Sequence, residues 1–409
     1  MGQMRRRGSP AAEVPRRGWR VPVLMAVSIF LLAMQPADGE ACPKEDLTDG
    51  LYACLFTERG VITLRLEPQR APLATASFVG LAEGTIDNTA FDPGRPFYDG
   101  TAFHRVVDGH VVQAGAADSE RTSGPGYSYP SQVHAELDHG RAGVLGVANN
   151  GPHTNGSQFY ITLDDRSYLD PIYPVFGEVV GGMEVVMRIR QDDGIDSVRV
   201  HRVGEEADAY RPDTAGFDEL RREARAEVVR HEAARRELEE AWLSEHWPGV
   251  DGEPDAVRTH RPDDVDPRDR TRAETALPDT LQVRYQGVAL HYLDHQRGYD
   301  GPPLVELPFT SGPEGEPGPF DAPQTFSFPR HTPAADDEAR INPGLDQALR
   351  EMAPGDRLLL VVPGELGYGS TGYFGPDVEG RERFRVLPSS MLVYEVEVLD
   401  GVEVPDGGD

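Results

Sequence analysis

Short runs of apolar and β-branched residues, broken by glycine, proline and asparagine, fill the chain from about residue 50 to 204. LYACLFTE (51–58), VITLRL (61–66), GVLGVA (143–148), QFYITL (158–163) and PVFGEVV (174–180) read as strands. One stretch around ATASFVGLAEG (74–84) reads as a helix. Many short strands with little helix predict a β-barrel. From 214 to 247 the period changes: Phe217, Leu220, Ala224, Val228, Leu238 and Trp242 fall near helical spacing in a charged background, and Pro248-Gly249 stops the run. Within the segment 205–248 this predicts a charged amphipathic helix packed on a neighbouring domain, or else an arm that binds clients or forms a dimer. Residues 249–275, rich in Pro, Asp and Arg, have the composition of a flexible linker. A second unit, 276–402, alternates the strands LQVRYQGVAL (281–290), TFSFPR (325–330), RLLLVVP (357–363) and SSMLVYEVEVLD (389–400) with one helix, NPGLDQALREM (342–352). That is an α+β pattern. Its Pro/Gly-rich stretch 298–319 is expected to be a mobile surface loop, and 403–409 a tail.

The N-terminus follows a different logic. Six arginines between Arg5 and Arg20 precede the apolar run VPVLMAVSIFLLAM (21–34), which meets Pro36 and small residues. A basic region, a short apolar stretch and a small-residue zone make a secretory signal peptide, here 1–39. The run is short for a membrane span, so membrane attachment is expected only if it stays uncleaved. The expected location is outside the cytoplasm, the periplasm of a bacterium. Cys42 and Cys54, the only cysteines, then form the expected disulfide, whose short loop contributes about 3 kcal/mol.

The formal charge of −29, with Lys44 as the sole lysine, argues against nucleic acid, whose phosphates an acidic surface repels. HYLDH (291–295) has His-x-x-x-His spacing but lies in a strand-like segment with no third ligand, so no metal site is expected. His104 is expected to be a core histidine. Asn155-Gly-Ser is a formal glycosylation acceptor, but it sits in the turn-rich loop before QFYITL and is discounted.

The segment NNGPHTNGSQFYIT (149–162) carries more turn residues than a hairpin needs. Taken with FYDGTAFHRVVDGHVVQAG (97–115) and YLDPIYPVFGEVVGGMEVV (168–186), it resembles the cyclophilins, peptidyl-prolyl isomerases built on a closed eight-stranded barrel. The resemblance covers 52–204 in the family's order and spacing, giving a cyclophilin-like domain at 40–204. It implies that Arg105 is the catalytic arginine and that Gln113 holds the substrate backbone and positions Arg105. Ala148, Asn149 and Asn150 match the groove strand that pairs with peptide. Gln158 matches the groove amide, and Tyr160 and Leu169 match walls of the proline pocket. His110, Val111 and Tyr173 fall where the family usually has Phe, Met and His, and Tyr168 where eukaryotic members often have Trp. His110 therefore puts a polar ring in the floor of an apolar pocket, and Tyr168 implies weak binding of cyclosporin-type drugs.

The second unit resembles the FKBP-type isomerases, through INPGLDQALREMAPGDRLLLVVPGELGYG (341–369) above all, with LQVRYQGVAL, FDAPQTFSF and LPSSMLVYEVEVLD around it. The resemblance implies an aromatic pocket of Tyr285, Phe320, Asp321, Phe326, Ile341, Tyr368 and Tyr394, with the Tyr368 hydroxyl donating to a substrate carbonyl. Leu345 stands where many members have a pocket-floor Trp, and Asn342 replaces an apolar residue. The expected whole is mainly β: a closed barrel and an FKBP-like domain joined by a charged helix and linker.

Both families rotate Xaa-Pro bonds, so the implied partners are proline-containing unfolded or extended polypeptide clients, with no cofactor and no metal. The competing class is a peptide-binding chaperone or scaffold without turnover, the FKBP-like domain above all. Arg105 separates the two: an isomerase needs it and a holdase does not.

Overall fold

The computed structural model describes residues 42 and 47–399, apart from 119–122, 171, 262–279, 294–296, 299, 312–316, 319–322, 330–340, 370–371 and 377–381. The expected signal peptide (1–39), the tail 403–409, and Phe320 and Asp321 of the expected second pocket lie outside the described residues. Among the described residues no helix is long and apolar enough to cross a membrane.

The first module contains β1 (Gly50–Thr57), β2 (Gly60–Leu66), α1 (Pro72–Glu83), β3 (Thr101–Ala102), β4 (Arg105–Val107), β5 (Val111–Ala114), β6 (Val144–Val147), β7 (Phe159–Thr162), β8 (Val175–Gly181), α2 (Met183–Val186) and β9 (Gly194–Val203). Its nine strands form one sheet in the order β3-β9-β1-β2-β8-β6-β7-β5-β4. The expected closed eight-stranded barrel is therefore corrected to a curled nine-stranded sheet. Its two end strands are consecutive in the chain, with only Phe103 and His104 between them, so the sheet curls almost onto itself. The two ends are joined by the chain itself and not by a ladder: the Phe103 N–H donates to Asp193 O (3.0 Å) and its carbonyl accepts from Asp192 N (2.9 Å), continuing the β3–β9 pairing, while β4 pairs with β5.

Inside the curl sits a core of β-sheet aliphatics and aromatics. Phe78 of α1 meets Tyr98, Phe159 and Phe176 at ring-centroid distances of 5.0, 5.5 and 5.5 Å. Residues Leu73 to Ala82 of α1 are all buried, which explains why the segment reads as apolar all round and not as a stripe. Pro72 opens the helix and Gly84 closes it with φ +71°.

The expected charged helix is two helices. α3 (Glu205–Ala209) ends before Pro212, and α4 (Thr214–His246) starts from Asp213, whose side chain accepts from Gly216 N (2.8 Å). Phe217 and Ala224 of α4 join the first core, with Leu220 packed against it. Leu243, near the other end, joins Val250, Leu290, Val361, Met391 and Val393 of the second module. A helix of 33 residues, about 50 Å long, thus packs on both modules.

The second module continues with β10 (Arg258–His260), β11 (Thr280–Tyr292), β12 (Leu304–Ser311), β13 (Pro317–Gly318), β14 (Phe326–Pro329), α5 (Pro343–Glu351), β15 (Arg357–Val362), β16 (Tyr373–Pro376), β17 (Glu382–Val386) and β18 (Met391–Val398). The main sheet has the order β10-β15-β18-β11-β12-β13, with β14 also paired to β11. Two expectations change here. The segment 249–275 is not a linker throughout: Val250 is buried in a core cluster, and Arg258–His260 pair with Val361, Leu360 and Leu359. The open edge of β15 supplies the partner that composition could not reveal. Among the described residues of 298–319, Leu304–Ser311 and Pro317–Gly318 are strand and not loop: Leu304–Thr310 pair with β11 and Thr310–Ser311 with β13.

Candidate active site

The register of four strands builds the site. Arg105 of β4 lies opposite Gln113 of β5, Gln113 opposite Tyr160 of β7, and Tyr160 opposite Gly146 of β6. Directly opposed residues share a sheet face, so the sheet carries a row Arg105–Gln113–Tyr160 along one surface. Gly146 completes the row because nothing larger fits: a Cβ there would fall 2.4 Å from Cζ of Tyr160. The missing side chain lets the tyrosine ring lie down over β6.

Hydrogen bonds lock the polar half of this row. Arg105 Nη1 donates to Gln113 Oε1 (3.3 Å), and Gln113 Nε2 donates to Gln158 Oε1 (2.9 Å). The Arg105 side chain is exposed and hydrogen-bonds to no other described residue, so its remaining N–H groups face the opening.

Eleven of the twelve residues expected for the first site line one groove of about 760 Å³: Arg105, His110, Val111, Gln113, Ala148, Asn149, Asn150, Gln158, Tyr160, Leu169 and Tyr173. Tyr168 does not line it. Instead it stacks on the outer side of His110, with ring centroids 6.4 Å apart and planes 25° apart.

Tyr160 and Tyr173 meet edge to face at 6.2 Å and form the aromatic end of the groove with Leu169 and Val111. Burial raises the pKa of both hydroxyls, with the nearby Arg105 tempering that of Tyr173.

Residues with no family role assigned to them here hold this end in place. Tyr160 Oη lies 2.8 Å from Nε2 of His139, which is fully buried, and His139 Nδ1 lies 2.7 Å from Asp170 Oδ1. His110 Nδ1 accepts from Arg166 Nε (2.9 Å), and Arg166 also donates to the carbonyl of Gly109. His110 is therefore a hydrogen-bonded ring. Its pKa is lowered by burial first and by Arg166 and Arg105 next, which keeps it neutral at pH 7.

The loop 149–158 is tied by its own side chains. Asn149 Oδ1 accepts from Gly151 N (3.2 Å), and Asn150 N donates to Thr154 Oγ1 (2.9 Å). Asn155 is fully buried: its Nδ2 donates to Tyr129 O (3.1 Å) and to Ser131 Oγ (3.0 Å), and its Oδ1 accepts from Asn149 Nδ2 (2.9 Å). That burial removes the side chain from glycosylation. His153 adopts φ +64° at the loop tip, where its N–H donates to Ser131 Oγ and its Nδ1 accepts from Ser131 N, both at 3.1 Å.

The remaining wall, Gly124–Ser128, belongs to the groove but to no expected site residue. Its only legible signal was the turn chemistry of GPG (124–126). His139, Asp170 and Arg166 carried no local signal, because each acts on a residue at least 21 positions away.

In the second module the expected pocket residues converge but enclose one another. Tyr285, Phe326, Leu345 and Tyr394 are all buried in one core with Phe309, and Ile341 and Tyr368 pack against its edge. Asn342 caps α5, its Oδ1 accepting from Leu345 N (2.9 Å), while its Nδ2 donates to Tyr394 Oη. The polar substitute thus spends both ends of its amide inside the protein. His291 of the HYLDH segment is buried beside Ser390 Oγ (3.1 Å), and His295 lies outside the described residues.

Residues 53–206 match the family of cyclophilin-type peptidyl-prolyl cis-trans isomerases, and residues 333–399 match FKBP-type peptidyl-prolyl cis-trans isomerases. The chain is 43% identical over 132 residues to peptidyl-prolyl cis-trans isomerase A of Mycobacterium tuberculosis, covering 31% of this chain and 72% of that protein. It is 40% identical over 146 residues to peptidyl-prolyl cis-trans isomerase B of Streptomyces anulatus, covering 34% and 83%. Among solved structures it is similar to a cyclophilin-type isomerase of Cryptosporidium parvum, at 23% identity and a TM-score of 0.34, covering 38% of this chain and all of that one. The match over 53–206 and the relatives at 43% and 40% identity define the class. The chain belongs to the cyclophilin-type peptidyl-prolyl cis-trans isomerase family, and carries an FKBP-type region in the same polypeptide.

Proposed function

We infer that the chain is a peptidyl-prolyl cis-trans isomerase whose turnover resides in the groove of the first module. The observation that carries this is the row in which Arg105 is held by Gln113, and Gln113 by Gln158, beside the Tyr160–Leu169–Tyr173 end.

Rotation about an Xaa-Pro amide makes and breaks no bond, yet its barrier is about 20 kcal/mol because conjugation is lost at the top. A site lowers that barrier by preferring the twisted amide. There the prolyl nitrogen regains its lone pair and accepts a hydrogen bond that the planar amide cannot. Arg105 is the donor, directed at that nitrogen or at the flanking carbonyl. The apolar end holds the proline ring while the preceding residue turns, and Gln113 and the 148–150 strand hold the peptide backbone. A gain of about four orders of magnitude needs about 5.5 kcal/mol of selective stabilisation, within the reach of a charged donor and a fitted pocket.

The second module serves as a scaffolding element. Its aromatic residues enclose one another, and the Asn342–Tyr394 hydrogen bond occupies the expected cup. The clients are exported chains outside the cytoplasm, a reading supported by the basic-then-apolar N-terminal pattern and by the Cys42–Cys54 disulfide (S–S 2.15 Å). A holdase is the second reading, favoured by the open groove of the first module, which accommodates extended peptide with or without turnover. Refolding of a protein limited by prolyl isomerisation separates the two. The isomerase accelerates the slow phase in catalytic amounts and Arg105→Ala abolishes the acceleration, whereas a holdase only suppresses aggregation, at stoichiometric amounts, in both forms.

A further inference from the structure

One wall of the groove is held by a helix outside the family match. Gly124–Ser128 form no strand, and their positions are fixed from behind. Thr89 N donates to Pro125 O (3.0 Å). Gly126 has φ +81°, and a Cβ on it would fall 2.1 Å from Thr89 Oγ1. Tyr127 Oη lies 3.0 Å from Ser77 Oγ of α1.

The last of these supports comes from α4. Arg221 donates from Nε (3.2 Å) and Nη2 (3.0 Å) to the single carbonyl of Ser128, and Arg225 Nη2 adds a third donor at 3.3 Å. Asp218 Oδ1 orients the guanidinium by accepting from Nη1 (2.8 Å). The same guanidinium carbon stands 5.1 Å from the centroid of Tyr127 and 5.6 Å from that of Phe217, the residue that seats α4 in the first core. Only 17% of the Arg221 side chain is exposed.

The clamp reaches the groove through a short path. Ser128 precedes Tyr129, whose N–H donates to Asn155 O (3.0 Å), and Asn155 Oδ1 holds Asn149 of the groove. Displacing the Ser128 carbonyl therefore moves the wall directly, while Asn149 keeps its own bond to Gly151 N.

We propose that Arg221 is a positioning residue for the peptide: through Ser128 it sets the wall that contacts residues flanking the Xaa-Pro pair. This rests on the groove being the isomerase site. The wall stands away from the proline pocket, so a substrate too short to reach it does not sense the change, while a longer one does. α4 thereby gives the module a specificity element that its family region lacks.

The test uses the full chain, wild type and with Arg221→Ala or Arg221→Lys. Exchange NMR measures kcat and KM on a blocked Xaa-Pro dipeptide and on the same pair with three residues added on each side, and peptide titrations measure Kd. Arg221→Ala should raise KM and Kd for the long peptide about three- to ten-fold with kcat within about two-fold, and leave the short peptide within about two-fold. Arg221→Lys, which keeps one donor and the charge, should recover part of the loss. Equal effects on both peptides, or a fall in kcat that tracks a lowered Tm, would overturn the proposal in favour of a purely structural role. Absence of turnover in the wild type would instead count against the isomerase reading, and the Kd comparison would still decide the role of Arg221.

Discussion

The hydroxyl of Tyr160 lies 2.8 Å from Nε2 of His139, behind the wall that faces the groove. Asp170 accepts from the His139 backbone N–H (2.6 Å), and the same carboxylate oxygen lies 2.7 Å from the ring's Nδ1, so one acidic side chain fixes both the backbone and the ring of His139. The wall of an apolar pocket is thus hung from a buried polar chain. Tyr160→Phe keeps the ring in the groove but leaves a fully buried nitrogen without its partner. The expected cost is about 1–3 kcal/mol, read as a lower Tm, with turnover within a few-fold. A Tm equal to that of the wild type would show that the hydrogen bond carries no weight.

His110 predicts an acid limit on activity. Its pKa is depressed by burial and by the cations Arg166 and Arg105, so the unfolded chain binds this proton more readily than the fold does. Its contribution to stability is present above the ordinary histidine value and is lost as pH falls through the lowered one. Protonation also breaks the Arg166 Nε to His110 Nδ1 bond at 2.9 Å and places a third cation in the pocket floor. A pH profile of kcat/KM should be flat from pH 8 to about 6.5 and fall below it. His110→Phe should remove that fall; an unchanged acid limb would assign it to another group.

Glu239 makes the seam between α4 and the second module sensitive to pH. Its pKa is raised to about 7, by burial first and to a lesser extent by Glu240. Arg235, at 3.7 Å, and then Arg236 and Arg258 lower it, too weakly to restore an ordinary value. Between pH 4.5 and 7 the native state holds a proton that the unfolded chain releases, so wild-type stability declines as pH rises through that window. Glu239→Gln should therefore stabilise the protein by about 1–3 kcal/mol at pH 8 and leave it unchanged at pH 5. Urea melts at the two pH values check this, and an equal effect at both would contradict it.

What could be read from residue order follows the range of the interactions. VITLRL alternates locally and FYIT, within QFYITL, is a short, wholly buried run, and β2 and β7 formed there. The α4 stripe was legible through Phe217 and Ala224 and, at its far end, through Trp242, which packs beside the fully buried Leu243. Arg258–His260 were hidden, since a three-residue edge strand in a Pro/Asp/Arg segment has no pattern of its own. In the groove, Arg105 and Gln113 were legible only through a family resemblance; their pairing is a property of sheet register across 8 positions. His139 and Arg221 bind partners 21 and 93 positions away, so only the folded chain identifies them. The closed barrel was expected from the family; in the structure β3 pairs with β9 and β4 with β5, and only the Phe103–His104 link of the chain joins these two ends.

The most direct test of the account is exchange NMR on a short Xaa-Pro peptide with catalytic amounts of the full chain, wild type against Arg105→Ala and Arg105→Lys. The account predicts cis-trans exchange accelerated by orders of magnitude by the wild type, a loss of about 100-fold or more with Arg105→Ala, and only partial recovery with Arg105→Lys, which lacks the planar fork. Exchange accelerated equally by Arg105→Ala would contradict it and move catalysis away from the Arg105–Gln113–Gln158 row.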